Sequence, residues 1–227
     1  MDGPTLAHLI EATGPAGHRN AALAAAVADV TGAPPGSCAV ILVEGISDQA
    51  ALATLAERRG RDLRREGVFV VPMGGATNIG AFAGLFGPHG LRARLAGLCD
   101  EAEEADFRHG LTRAGLPPGP GRAGLEQLGF YVCVADLEEE MIRSLGTGAV
   151  EQLIAAEGEL TRFRTFTRQP AQRGRPAEQQ LHRFMGTKSG RKARYGHILA
   201  AALDPARIPR PLDRVLAQTA TPLDGTG

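Results

Sequence analysis

Ala39-Val40-Ile41-Leu42-Val43 is an unbroken apolar, β-branched run that stops at Glu44-Gly45. A strand with no polar alternation is covered on both faces, so the chain around it has to supply helices above and below. Helical spacing does follow, with Ala50, Leu52, Leu55 and Ala56 leading to Arg58-Arg59-Gly60, a basic end closed by glycine. The alternation then repeats. Further strands are predicted at 68–72, 92–99 and 129–134, helices at 78–86 and 101–111, and a Pro/Gly-rich loop at 117–124. This order predicts an α/β fold, a mostly parallel Rossmann-like sheet with helices on both faces.

The flanks divide the chain further. Residues 1–37 predict a helical N-terminal lead-in, alanine-rich from 21 to 30 and closed by Thr31-Gly32-Ala33-Pro34-Pro35-Gly36. The α/β core is expected over 38–146. A helical, basic extension that completes the site is expected over 147–203, with helices at 150–156, 178–184 and 192–203. A loose, proline-spotted tail is expected over 204–227. No stretch approaches the ~18 apolar residues of a membrane span, and the N-terminus lacks a secretory pattern. Cys38, Cys99 and Cys133 are far apart with no CxxC pair, which predicts reduced thiols in a cytoplasmic protein that keeps clear of membranes.

Acids gather where the strands end. Glu44 follows the first, Asp100 the third and Asp136 the fourth, and ligands of open α/β sheets sit beyond those carboxyl ends. Asp48 lies one helical turn after Glu44, where it serves equally as a helix cap or as a ligand. Glu101, Glu103 and Glu104 follow Asp100, and Glu138 follows Asp136. Each of these also suits a helix N-terminus, with its favourable dipole. Glu44 and Asp100 on adjacent strand ends would repel unless a cation sat between them. Mg²⁺ takes a few carboxylates plus water, so Glu44, Asp48, Asp100, Glu103, Asp136 and Glu138 are the candidate ligands for Mg²⁺ or Mn²⁺.

The formal charge is zero, but it is segregated. Residues 100–159 hold 13 acids and 4 bases, whereas residues 162–194 hold 10 bases and one acid, Glu178. An acidic cluster attracts divalent cations and a basic strip attracts phosphates. The only two lysines, Lys188 and Lys192, stand in Thr187-Lys188-Ser189-Gly190-Arg191-Lys192. With Arg191 and Arg194 they are the candidate nucleic-acid contacts, and they suit a solvated basic face equally well. Other chemistries lack their residues. Gly75 to Gly80 spells GxxxxG, but Ala81-Phe82 stand where a P-loop needs Lys and Ser or Thr. GxSxG is absent, and the six histidines form no HxH or HxxxH pair. The Gly74-Gly75 loop is still expected to approach a phosphate through its backbone N–H groups.

In the order of these motifs the chain resembles the TOPRIM domain of topoisomerases, primases and OLD-like (overcoming lysogenization defect) nucleases. Val43-Glu44-Gly45 matches the strand-end Glu motif. Glu44-Gly45-Ile46-Ser47-Asp48 is similar to the OLD-like version, and so is the strand–glycine–Asn segment from Val71 to Asn78. Asp136-Leu137-Glu138 resembles the downstream acid pair, and Lys192 the late lysine. The resemblance spans about residues 38–203 and implies a two-metal nuclease. Glu44, Asp48, Asp100 and Glu138 would hold metal, with Glu44, Asp100 and Lys192 central to catalysis. It departs from the family pattern where Ala102 replaces the second Asp of Asp-x-Asp, so either Glu101 or Glu103 substitutes or one metal binds weakly. No Walker motif is present, which implies a domain standing alone or working with a separate ATPase, and a homodimer is compatible. The expected substrate is nucleic acid, DNA ahead of RNA. The competing expectation is a degenerate TOPRIM module that only binds nucleic acid or an ATPase. A primer-synthesising transferase ranks last.

Overall fold

The computed structural model describes residues 23–24, 26–28, 30, 37–188 and 190–220. Four strands, β1 (Ala39–Val43), β2 (Val68–Pro72), β3 (Arg94–Asp100) and β4 (Phe130–Cys133), form one parallel sheet in the order β2-β1-β3-β4. Every residue of β1 is buried, as its unbroken apolar run requires. Ala39, Ile41 and Val43 enter one core, and Val40 and Leu42 the other.

On the first face lie α1 (Ile46–Arg58), α5 (Leu137–Leu145), α6 (Thr147–Ala156), α7 (Leu160–Thr167), α8 (Ala177–Gly186), α9 (Arg191–Ala202) and α10 (Arg210–Gln218). On the second lie α2 (Ile79–Phe86), α3 (Glu104–Arg113) and α4 (Gly121–Gln127). Leu23, Ala26, Val27 and Val30 are helical and buried in this second core. The rest of the expected N-terminal lead-in lies outside the described residues.

Chain direction across the sheet reverses at β1, which pairs with β2 on one side and with β3 on the other. In parallel sheets the crevice at such a reversal is where ligands bind. Glu44 leaves β1 there, and Asp100 is the last residue of β3.

Four expectations need correction. Residues 205–218 are not a loose tail: a 3-10 turn (Pro205–Arg207) leads into α10, whose Leu212, Val215 and Leu216 are fully buried. The Pro/Gly loop at 117–124 gives way to α4 from Gly121. Asp136 does not end a strand: β4 stops at Cys133, and Asp136 is the N-cap of α5, accepting from Glu139 N at 2.8 Å. The helix expected over 101–111 begins instead as a 3-10 turn (Glu101–Glu103) before α3. Cys38, Cys99 and Cys133 are all buried and unpaired. No helix among the described residues is long and apolar enough to cross a membrane.

Candidate metal centre

Glu44 is set by its own backbone. Its carbonyl accepts from Gly74 N at 2.9 Å and Gly75 N at 3.2 Å, so the turn after β2 clasps the end of β1. This corrects the expectation for that loop, because those N–H groups are occupied and cannot cradle a phosphate. Gly74 and Gly75 have φ of +72° and +128°, which side chains adopt only with strain. Asn78 closes the turn by donating from Nδ2 to Met73 O at 2.9 Å.

The 3-10 turn after Asp100 swings Glu103 back over the strand end. One ligand oxygen each from Glu44, Asp100 and Glu103 lie within 4.8 Å of one another. Glu101 points elsewhere, to an ion pair with Arg122, and Ala102 is exposed. Of the two candidate substitutes, Glu103 is the one that the fold brings beside Glu44 and Asp100. None of the three clustered carboxylates has an ion-pair partner among the described residues, and the buried Oε2 of Glu103 has no hydrogen-bond donor. Burial, reinforced by Asp136, Asp48 and Glu44, pushes the Asp100 carboxyl up to about 8. Burial and the Glu44 carboxylate push Glu103 up to about 7. Carboxyls held this far above their ordinary range, with an oxygen left over, fit a divalent cation.

Asp48 does two things. Its Oδ2 accepts from Gly45 N at 2.8 Å, reaching back across the start of α1, so the capping role is real. The residue is only 8% exposed yet faces the cleft, and burial raises its carboxyl to about 7. The cleft, of about 300 Å³, is walled by Glu44, Asp48, Gly74, Asp100, Gly190 and Lys192 among others.

A second cluster adjoins the first. One ligand atom each from Asp136, Glu138 and His182 lie within 4.8 Å. Glu138 is 1% exposed. Lys192 Nζ stands 3.3 Å from its Oε2, while its Oε1 has no partner among the described residues. His182 Nε2 is 2.5 Å from Asp136 Oδ2. Burial raises the Glu138 carboxyl even against the nearby lysine. For Asp136 burial acts upward too, but the His182 and Glu139 hydrogen bonds outweigh it and hold the carboxyl low. The sequence offers no signal for His182, because its partner is far off in the chain and no histidine spacing marks it.

Lys192 reaches the cleft because α9 lies close on α1. A Cβ on Gly196 would stand 2.6 Å from Ser47 O, so only glycine permits the approach. Thr54 Oγ1 and His197 Nδ1, 2.7 Å apart, tie the two helices further along.

The basic segment is only partly as expected. Arg191 is turned inward: its side chain is 9% exposed, it lies 4.3 Å over the Phe184 ring, and it donates to Glu159 Oε1 at 2.9 Å. It holds α7, α8 and α9 together and has no surface to offer a phosphate. Arg194 pairs with Glu157 and Lys192 with Glu138. Lys188 is exposed, as are Arg164, Arg168 and Arg183, none of which has an acidic partner among the described residues.

Comparison with known proteins adds to this geometry. Residues 37–101 match the family model described as "Overcoming lysogenization defect protein-like, TOPRIM domain". The fold is similar to the C-terminal region of the Xanthomonas campestris pv. campestris OLD protein. One structure of it is 23% identical at TM-score 0.60, covering 80% of this chain and 93% of that one. Another is 25% identical at TM-score 0.59, covering 81% and 94%. The C-terminal region of the Burkholderia pseudomallei OLD protein is 20% identical at TM-score 0.60, covering 80% and 96%. Among curated proteins none matches by sequence.

Proposed function

We propose that this chain, whose residues 37–101 match the OLD-like TOPRIM family model, is a divalent-metal-dependent nuclease hydrolysing nucleic-acid phosphodiesters. The observation that carries the reading is the convergence of Glu44, Asp100 and Glu103, three carboxylates without a counter-charge, at the sheet's reversal point. Glu44, Asp100 and Glu103 would hold one Mg²⁺ or Mn²⁺, and Asp48, Asp136 and Glu138 supply the carboxylates for another beside it. Divalent cations held there would polarise a phosphodiester and acidify the attacking water.

The chain's own groups do the rest. Lys192, fixed by Glu138, brings a positive charge to the cleft wall, where it stabilises negative charge on the reacting phosphate. Gly74 and Gly75 keep Glu44 from drifting by holding its carbonyl. The exposed arginines of α7 and α8 draw the substrate backbone towards the acidic cleft, which bare carboxylates would otherwise repel. A separate ATPase as partner belongs to the same proposal.

Purified protein should nick supercoiled plasmid with Mg²⁺ or Mn²⁺, fail in chelator, and lose activity on Glu44→Ala. Loss of a ligand should cost more than the about 10–100-fold typical of outer-shell changes. Equal cleavage by wild type, Glu44→Ala and Asp100→Ala would overturn the assignment. A second reading draws on the exposed Lys188, Arg164, Arg168 and Arg183: a module that binds nucleic acid without cutting it. Salt-sensitive binding indifferent to chelator, with no cleavage, would favour that reading.

A further inference from the structure

The imidazole in the second cluster has no task in the nuclease reading. Asp136 is oriented by its role as N-cap of α5, with Oδ1 on Glu139 N, which turns Oδ2 towards His182 Nε2. His182 is presented by α8, and the packing of that helix is independent of the Asp136 contact. Phe184 sits 5.2 Å from the Phe163 ring and 5.7 Å from that of Phe166, and Leu181 and Met185 are buried beside it. Glu138 completes the group. Lys192 holds its Oε2, and its Oε1, in a side chain almost wholly buried, meets no donor among the described residues. Buried carboxylate oxygens are normally satisfied. Here the unsatisfied oxygen belongs to the carboxylate that clusters with a second carboxylate and an imidazole.

We propose that Asp136, Glu138 and His182 form a metal centre with a nitrogen donor, which takes a first-row transition-metal cation such as Mn²⁺ or Co²⁺ in preference to Mg²⁺. The inference rests on the reading of the acid clusters as divalent-metal sites and deepens it. Imidazole suits borderline transition metals, whereas Mg²⁺ keeps to oxygen donors and water. The Glu44–Asp100–Glu103 centre is all oxygen and accepts either kind. The two centres of one cleft therefore differ in donor set, and His182 is the difference. His182 ligates as the neutral imidazole, releasing its Nε2 proton to solvent as the cation enters. Glu138 then uses both oxygens, one on Lys192 and the other on the metal.

Metal-stripped protein titrated with Mn²⁺ tests this directly. Free Mn²⁺ is counted by continuous-wave EPR, and bound Mn²⁺ is examined by pulsed EPR for ¹⁴N coupling. Two Mn²⁺ per chain are expected, one of them coupled to nitrogen. His182→Gln should abolish the coupling and weaken one site by about 10–100-fold, leaving Mg²⁺ binding at the other site unchanged. Glu44→Gln should keep the nitrogen-coupled ion. Bound Mn²⁺ with no nitrogen coupling in the wild type would overturn this inference and leave the nuclease reading standing. Unchanged affinities in a folded His182→Gln would do the same. A wild type that binds no Mn²⁺ at all would overturn both. If His182→Gln fails to fold, the wild-type coupling decides alone.

Discussion

Gly75 carries a backbone that no side chain adopts comfortably, with φ +128° and ψ +146°. Replacing it with alanine meets no atom within 4 Å, so the cost is strain alone, about 1–3 kcal/mol. Denaturant unfolding should register that loss. Because Gly75 N holds the Glu44 carbonyl, metal affinity should fall with it, and a Gly75→Ala protein with full affinity would contradict the clasp. Glu44 and Asp100 are legible in the amino-acid sequence alone, since a strand-end acid in an apolar setting has no capping job. Glu103 is legible there only as one of two substitutes for the missing Asp. The choice between Glu101 and Glu103 depends on a 3-10 turn and on Arg122, which draws Glu101 away. His182 is not legible at all, because its meeting with Asp136 is made by the packing of α8 and leaves no local trace.

At the scale of elements, the placing of α9 on α1 decides whether Lys192 reaches the acids. Gly196 is one turn beyond Lys192, and a Cβ there would collide with Ser47 O. Gly196→Val should force α9 outward and cost about 1–3 kcal/mol, as overpacking does. Nuclease activity should fall by more than the stability loss explains, while binding at the Glu44–Asp100–Glu103 centre persists. A variant with wild-type cleavage would show that Lys192 needs no such placing. The strands can be read from the sequence to within about two residues, because a buried parallel strand writes an unbroken apolar run. α10 escapes such a reading although Leu212, Val215 and Leu216 have helical spacing. Pro209 and Pro211 suggest a loop, yet proline fits the first turn of a helix, where no N–H is needed. α4 is hidden in the same way, behind Pro120 and three glycines.

Over the whole molecule, the charge segregation along the sequence is real but does two different jobs. Part of the basic segment is spent internally, by Arg191 on Glu159 and Arg194 on Glu157. The exposed remainder is what a polyanion can meet. If it does, the slope of log K against log salt for DNA binding should shrink by about 1 for each of Arg164→Ala, Arg168→Ala and Arg183→Ala. Arg191→Ala should instead lower stability. The acidic half makes a prediction of opposite character. Asp48, Asp100 and Glu103 titrate at about 7, 8 and 7 in the metal-free fold, against about 4 in an unfolded chain. Between those limits the folded chain holds more protons than the unfolded one, so stability falls as pH rises. His182, raised chiefly by its hydrogen bond to Asp136, acts in the same direction, because its contribution is lost as pH climbs through its folded value. Asp136 and Glu159, held low, contribute only in acid, below this window. The melting temperature of the metal-free protein should therefore drop from pH 5 to pH 8. Saturating Mn²⁺ should remove the drop, since a cation supplies the charge that protons supply at low pH. The rise in melting temperature on adding metal must then be larger at pH 8 than at pH 5. A flat metal-free profile, or an equal rise at both values, would mean that these carboxylates are not held together as close as the fold places them.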